Sequence, residues 1–402
     1  MNGLKVSHIT FSSKGGAGRV AQLLYEGQKM EHVSAKMYTM TDGGVESLAF
    51  SNPILFITAL FDYLLVRRLR KNPLFTLFRR CKPKLVKRTS FEEGEVIHLH
   101  WVAGMLHSKW LSHVLANHNC VLTLHDMWTF TGGCHHAIDC DGYQQGCGDC
   151  PQVREAFKRS VAKSLSIKIS QNAQFRNLVV VAPSKWIADK ARKSLVFKHQ
   201  RIEIVPNSAI IESAQMVDKR QAREKLGISG NSFVVGCVAA DLLDPQKNIG
   251  ALVNEVEIFK DNHANVDLVI LAVGGGMLRS DAVTVFQTGL LHDLNEIALA
   301  YVAMDAFVSL SLTENFPLTV VEAAFAGVPA IALDAGGISE IVKNGETGLV
   351  ISDPSEFQNA LEIVVSNRKL REYMSTNSKA FAAEEFSLGS VLNRYRAIYE
   401  SF

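Results

Sequence analysis

The stretch from Ala306 to Pro329 carries the densest chemistry in the chain. An apolar run, Ala306–Ser311, ends in a Ser/Thr turn that bears Glu314, and Pro317 and an apolar segment containing Glu322 follow. Pro317 is expected as the first helical residue, where its missing N–H costs nothing. Glu322 then lies about 7–8 Å along the axis, at ~1.5 Å per residue. The free N–H groups of Leu318 and Thr319, at the positive end of the helix dipole, suit a diphosphate. A carboxylate one turn further on can accept two hydrogen bonds from a ribose diol, and Glu314 can grip a sugar hydroxyl. The plainer alternative is a helix-entry acid followed by a solvated helix glutamate. Against it, Glu322 precedes Ala-Ala-Phe-Ala-Gly in a strongly apolar helix, where an unpaired carboxylate is costly.

Three other groups have chemistry at their disposal. Lys247, in Asp244-Pro-Gln-Lys-Asn, follows the apolar run Phe233–Val238. A cation there can neutralise a departing diphosphate, although a lone loop lysine is more often only solvated. Lys14-Gly15-Gly16-Ala17-Gly18 follows the first apolar run, and such a turn lets backbone approach phosphate or simply turns tightly. It is neither a G-x-G-x-x-G fingerprint nor a Walker A loop. Two further runs end in His98-Leu-His100-Trp101 and in His125-Asp126-Met-Trp128. A histidine at a strand end is more often structural than catalytic, and two on one sheet face improve the odds.

Cys134, Cys140, Cys147 and Cys150 form C-x5-C-x6-C-x2-C. The last pair has the spacing of a zinc knuckle and the first is wider than usual. Structural zinc leads, free or redox-paired thiols come next, and a catalytic role comes last. Asp139-Cys-Asp141 is an Asp-x-Asp buried in this cluster rather than at a nucleotide-binding strand end, so we discount it as a metal site.

Parallel α/β architecture is what would place these groups together. Strands are expected at Val6–Phe11, Val96–Trp101, Cys120–Asp126, Asn177–Pro183 and Arg201–Val205, then at Phe233–Val238, Val266–Val273, Ala306–Ser311 and Val328–Leu333. Helices are expected at Arg19–Lys29, Ile249–Lys260 and Pro317–Ala326. The pattern restarts near Pro206, which gives two Rossmann-like domains. Their boundaries are 1–208, with a Cys-cluster insertion at 130–152, and 209–387. Ligands of open parallel sheets bind beyond the carboxyl ends of the strands, where these motifs fall.

The spacing Glu314-x7-Glu322, then Ala-Gly-Val-Pro-Ala, Gly336-Gly337-Ile-Ser-Glu340 and Asn344-Gly-Glu-Thr-Gly348, resembles the large family-4 retaining glycosyltransferases of GT-B fold. The segment from Leu124 to His135 resembles their bacterial exopolysaccharide and colanic-acid-type subgroup, which carries such a cysteine cluster. The resemblance implies two Rossmann-like domains facing a cleft, with a last helix over 388–402 crossing back to the first domain. Glu322 would bind the nucleotide ribose and Glu314 the donor sugar. Backbone amides from Asn315 through Phe316 and Leu318 to Thr319 would hold sugar or phosphate oxygens. Lys247 would bind the diphosphate, Gly15 and Gly16 would face it, and His125 would steady the sugar hydroxyls and charge at the anomeric carbon. Many members place an Arg where Leu242 stands, with Arg279 or Lys14 as candidate substitutes. No catalytic metal is implied, because the leaving phosphate itself takes the acceptor's proton.

The 402 residues are 47% apolar and 20% charged, a globular composition that excludes a mostly disordered or collagen-like chain. No apolar run reaches the ~18–20 residues that span a bilayer, and the N-terminus lacks the pattern of a targeting signal. The expectation is a cytoplasmic protein, at the inner face of the plasma membrane. The net charge of +2 conceals an asymmetry: residues 1–205 hold 28 Lys+Arg against 15 Asp+Glu, and the remainder holds 14 against 25. Ten of those cations lie between Arg67 and Arg88, and the segment 54–88 reads as a docking surface for an anionic membrane or as the solvated face of a core helix. No recognition motif for nucleic acid accompanies it. The combined expectation is a glycosyltransferase that uses a UDP- or GDP-linked sugar and a saccharide acceptor, lipid-linked, in cell-surface polysaccharide synthesis. The rivals are a sugar-nucleotide epimerase or hydrolase of the same fold, and a catalytically weak membrane-associated scaffold.

Overall fold

The computed structural model describes residues 3–39, 46–47, 75–77, 91–103, 116–173, 175, 177–209, 211 and 218–402. Apart from 75–77, the basic segment 54–88 lies outside the described residues. Two compact units are present: Met1–Pro206 together with Val391–Phe402, and Asn207–Ser390.

The first unit contains β1 (Lys5–Thr10), α1 (Gly15–Met30), β2 (Ser34–Thr39), β3 (Glu46–Ser47), β4 (Val96–Leu99), β5 (Asn119–Thr123), α2 (Lys158–Asn172), β6 (Leu178–Ala182), α3 (Lys185–Lys193) and β7 (Arg201–Ile204). The seven strands form one sheet in the order β3-β2-β1-β4-β5-β6-β7, with all pairs parallel. Covered on both faces, a parallel sheet needs near-continuous apolar strands. Strand β6, Leu-Val-Val-Val-Ala, is buried at every position.

The second unit contains α4 (Lys219–Leu226), β8 (Phe233–Asp241), α5 (Ile249–Asn262), β9 (Leu268–Gly275), β10 (Thr284–Gln287), α6 (Leu294–Ala303), β11 (Ala306–Ser309), α7 (Leu318–Ala326), β12 (Ala330–Leu333), α8 (Ile338–Ile341), β13 (Gly348–Ile351), α9 (Phe357–Ser366) and α10 (Arg368–Glu385). Its parallel sheet runs β10-β9-β8-β11-β12-β13, with one apolar core on each face. The last helix, α11 (Leu388–Tyr399), buries Val391, Leu392, Tyr395, Ile398 and Tyr399, a stripe at helical spacing. Its Tyr395 bonds Thr123, and its Arg396 pairs with Glu31, the C-cap of α1.

Several expected boundaries move. Strands β4 and β5 stop at Leu99 and Thr123, so His100 and His125 stand on the loops beyond them. Pro317 is the N-cap of α7 rather than its first helical residue, with extended backbone at ψ 117°. Strands β2, β3, β10 and β13 were not anticipated. In both sheets the strand order reverses direction once, between β1 and β4 and between β8 and β11. Such switch points open crevices beyond the strand ends.

Candidate functional site

In the second unit, the loops after β8 and β11 lie side by side at the switch point, tied by Leu312 N–H donating to the Gln246 carbonyl at 2.9 Å. This brings Lys247 to Glu314, Nζ to Oε1 at 2.6 Å. Glu314 is mostly buried, at 12% exposure, and Lys247 is 36% exposed. A third loop fixes the acid from behind. Gly336, at φ 70°, would place any Cβ 1.5 Å from the Glu314 carbonyl oxygen. Only glycine fits there, both for the left-handed backbone and for the close approach.

Asn315, Phe316 and Pro317 are buried, and Phe316 packs edge-on against Phe386 at 5.6 Å. The first N–H to close a backbone bond within α7 is that of Val320, to the Pro317 carbonyl. Leu318 and Thr319 N–H thus stand at the open end of the helix, where no side chain caps it. Glu322, the fifth residue of α7, is 6% exposed and accepts a hydrogen bond from Tyr301 of α6 at 2.7 Å. A buried carboxylate needs such donors. Leu242 points into the core at 1% exposure and so has no cationic counterpart at that position. Arg279 touches the Met277 sulfur at 3.5 Å.

In the first unit, Gly15 and Gly16 open α1, exposed and with open space above each Cα. Gly18 has the tight fit instead, since a Cβ there would lie 2.4 Å from the Ser12 carbonyl oxygen. His125 is half-buried beyond β5, with Nε2 3.2 Å from His100 Nδ1. His100 in turn meets His8 of β1 at 3.0 Å, and His98 of β4 lies beside them. One ring nitrogen from each of His8, His98 and His100 lies within 4.8 Å of the other two, close enough to coordinate a metal ion. Burial keeps these imidazoles uncharged: His8 and His125 are pushed down to about 4, and His98 and His100 well below the usual range.

Asp126, beside His125, is structural. It accepts bonds from Trp101 and His135 at 2.6 Å and from Trp128 N–H at 2.7 Å. Burial alone would raise its carboxyl, but His135 and these donors hold it at about 2.

Cys134, Cys140, Cys147 and Cys150 line one cavity of about 10 Å³, room for a single small ion or water. None is disulfide-bonded. Backbone N–H groups face the sulfurs: Gly142 toward Cys140 at 3.4 Å, Gly132 toward Cys147, and Gln152 and Val153 toward Cys150. Lys168 lies under the cluster, bonded to the Trp128 and Thr131 carbonyls and 3.8 Å above the Trp128 ring. Ile138 and Cys147 adopt left-handed backbone, at φ 52° and 56°. Among the described residues no three of these sulfurs come within 4.8 Å of one another, and a tetrahedral thiolate site with ~2.3 Å bonds would draw them closer. The four thiols are of the donor type that zinc takes.

Residues 218–381 match the family model described as "Glycosyl transferases group 1". WcaC of Escherichia coli (strain K12), named for colanic acid biosynthesis glycosyl transfer, is 26% identical over 86% of this chain and 86% of its own length. An Escherichia coli UDP-Gal:alpha-D-GlcNAc-diphosphoundecaprenol alpha-1,3-galactosyltransferase is 31% identical over 52% of this chain and 56% of its own. Among solved structures, sucrose-phosphate synthase from Thermosynechococcus elongatus superposes with TM-score 0.67 at 18% identity, covering 99% of this chain and 98% of that one. Anabaena HepE in complex with UDP-glucose gives 0.63 at 16% identity over the whole of both chains. The fold is GT-B, and the chain is related to the group 1 glycosyl transferases through its second unit.

Three residues in the two units were not legible beforehand. Tyr301 sits in an apolar helix and reads as core. Gly336 was visible only as half of a Gly-Gly pair. His8 lies mid-strand, with nothing nearby in sequence to mark it.

Proposed function

We propose that the chain is a retaining glycosyltransferase that takes a sugar from a nucleoside-diphosphate donor and passes it to a saccharide acceptor. The observation that carries this reading is the switch-point arrangement of the second unit. There a cation (Lys247), an acid (Glu314), an open helix N-terminus and a buried, hydrogen-bonded carboxylate (Glu322) follow two neighbouring strands. Each suits one part of a sugar nucleotide. The helix amides and Lys247 match the diphosphate, Glu322 the ribose diol, and Glu314 a sugar hydroxyl.

When donor binds, phosphate competes with Glu314 for Lys247, and the released carboxylate is free to accept from the sugar. As C–O cleavage builds charge on the leaving phosphate, Lys247 and the helix amides stabilise it. The acceptor's hydroxyl oxygen bonds to the anomeric carbon on the face the phosphate leaves, and the phosphate takes its proton, as the resemblance to retaining enzymes implies. His125 steadies sugar hydroxyls in this scheme. Gly15 and Gly16 give backbone close access to an anionic oxygen.

The acceptor is read as lipid-linked and the pathway as surface-polysaccharide assembly. The activities for which the two Escherichia coli relatives are named support this, as does the basic composition of segment 54–88. Work at the cytoplasmic face of a membrane follows from the same reading. No helix among the described residues is long and apolar enough to cross one. The four cysteines are read as a structural zinc site that would pin the loop between β5 and α2.

The test is a panel of UDP- and GDP-sugars offered with undecaprenyl-diphosphate saccharides, with the anomeric configuration of the product read by NMR. Transfer with retention supports the proposal. Epimerised donor or free sugar without transfer would assign an epimerase or hydrolase, and no turnover of any donor would assign a scaffold.

A further inference from the structure

The buried histidines of the first unit form a hydrogen-bonded chain with a definite direction. Gln28 of α1 stands at its origin, 4% exposed. Its amide nitrogen donates to the Tyr399 hydroxyl at 3.2 Å, which leaves its oxygen facing His8 Nε2 at 2.9 Å. His8 must therefore carry its proton on Nε2. A neutral imidazole holds only one N–H, so His8 Nδ1 is an acceptor. It faces His100 Nε2 at 3.0 Å, which must then donate. By the same step His100 Nδ1 accepts from His125 Nε2 at 3.2 Å. Burial lowers the proton affinity of all three rings, so none is doubly protonated at neutral pH.

A side branch closes the network. The Tyr399 hydroxyl, already accepting from Gln28, donates to His98 Nδ1 at 2.8 Å. His98 Nε2 donates to Thr123 at 2.8 Å, and Thr123 meets Tyr395 at 2.9 Å. All six ring nitrogens of His8, His98 and His100 are thereby engaged without a metal ion.

We propose that Gln28, oriented by Tyr399, sets the tautomer of His125 through His8 and His100, so that His125 keeps its proton on Nε2 and offers Nδ1 to a sugar hydroxyl as a hydrogen-bond acceptor. Gln28, Tyr399, His8 and His100 are positioning residues in this scheme, and only His125 touches substrate. The last helix is thus wired to the candidate catalytic histidine, since Tyr399 is the final residue of its buried stripe. The functional consequence rests on the reading of His125 as a sugar contact.

The test uses the full chain labelled with ¹⁵N-histidine, with ring shifts and long-range couplings assigning each tautomer and His125→Ala identifying the His125 signals. The expected result is protonated Nε2 and bare Nδ1 on His8, His100 and His125. Protonated Nδ1 on His125 would overturn the proposal, because the chain then runs in the opposite sense. Metal-shifted nitrogens on His8, His98 and His100, with stoichiometric metal by elemental analysis, would overturn it as well. In Gln28→Leu the origin is lost and the tautomers should invert, with transfer falling about tenfold or more, while Gln28→Glu, which keeps an acceptor oxygen, restores the Nε2-protonated form of His125. An unchanged His125 tautomer in Gln28→Leu would contradict the relay even if activity fell. If His125→Ala left transfer unaffected while the wild-type tautomers were as expected, the sugar-contact reading would fail and the chain of tautomers would stand alone.

Discussion

Lys247 and Glu314 follow neighbouring parallel strands 67 residues apart in sequence, and their side chains meet at 2.6 Å. The pair holds the cation at the switch point and keeps a largely buried acid compensated until ligand arrives. Lys247→Ala should weaken binding of the nucleoside diphosphate about 10–100-fold, the range for losing one charge-assisted hydrogen bond. Glu314→Gln should leave that affinity equal or tighter, because phosphate no longer competes for Lys247, yet transfer should collapse. Calorimetric titration with UDP and GDP, beside the transfer assay, checks both. Equal losses of nucleotide affinity in the two variants would contradict the exchange of partners.

Gly336 offers a test that touches no ligand-facing side chain. Gly336→Ala puts a methyl group 1.5 Å from the Glu314 carbonyl and forces alanine to φ 70°. The Glu314 loop must shift. We expect about 1–3 kcal/mol of lost stability and a fall in kcat much larger than any loss of nucleotide affinity. Denaturant unfolding and steady-state kinetics report the two effects separately.

Stability should depend on pH through the buried histidines. The folded-state value of His8 is depressed to about 4 from 6.5, so the unfolded chain binds its proton first as pH falls. The contribution is fully present above pH 6.5 and is lost as pH drops toward 4, at about 1.4 kcal/mol per pH unit for each such ring. His98, His100 and His125 are shifted the same way, so stability should fall more steeply below pH 6.5 than one ring accounts for. Urea midpoints across that range measure it, and a flat profile would mean the imidazoles are not buried uncharged.

The cysteine cluster predicts one equivalent of zinc in protein purified without chelator. Burial pushes Cys134 up to about 12 and Cys147 up to about 11, so the metal-free thiols are protonated and zinc binding should release protons. Cys147→Ser should lose the metal and lower Tm by several degrees. Metal-free protein of unchanged Tm would leave the cysteines as packing residues.

Much of the site was legible because its signals are local. The apolar run into Glu314, the proline at the helix entry and the acid inside an apolar helix all lie within one short stretch. The strands leading into the loops of Lys247 and Glu314 were legible for the same reason, as continuous apolar runs. Strands β2 and β10, short and mixed in polarity, gave no such pattern. Partnerships across the sheet were illegible, because Lys247 finds Glu314, Tyr301 finds Glu322 and Gln28 finds His8 only through strand order and helix packing. The histidine strands stopped short of their expected ends, leaving His100 and His125 on loops where their side chains bond each other. The basic segment 54–88 is legible only as composition.

The central claim is that the second unit holds a sugar nucleotide through the Lys247, Glu314 and Glu322 constellation. Transfer measured for Glu322→Ala, at saturating acceptor and varied donor, tests it most directly. The account predicts that kcat/KM for the donor falls at least about tenfold, as expected for losing hydrogen bonds to a charged acceptor, while the variant stays folded. Donor kcat/KM equal to that of the wild type would contradict it.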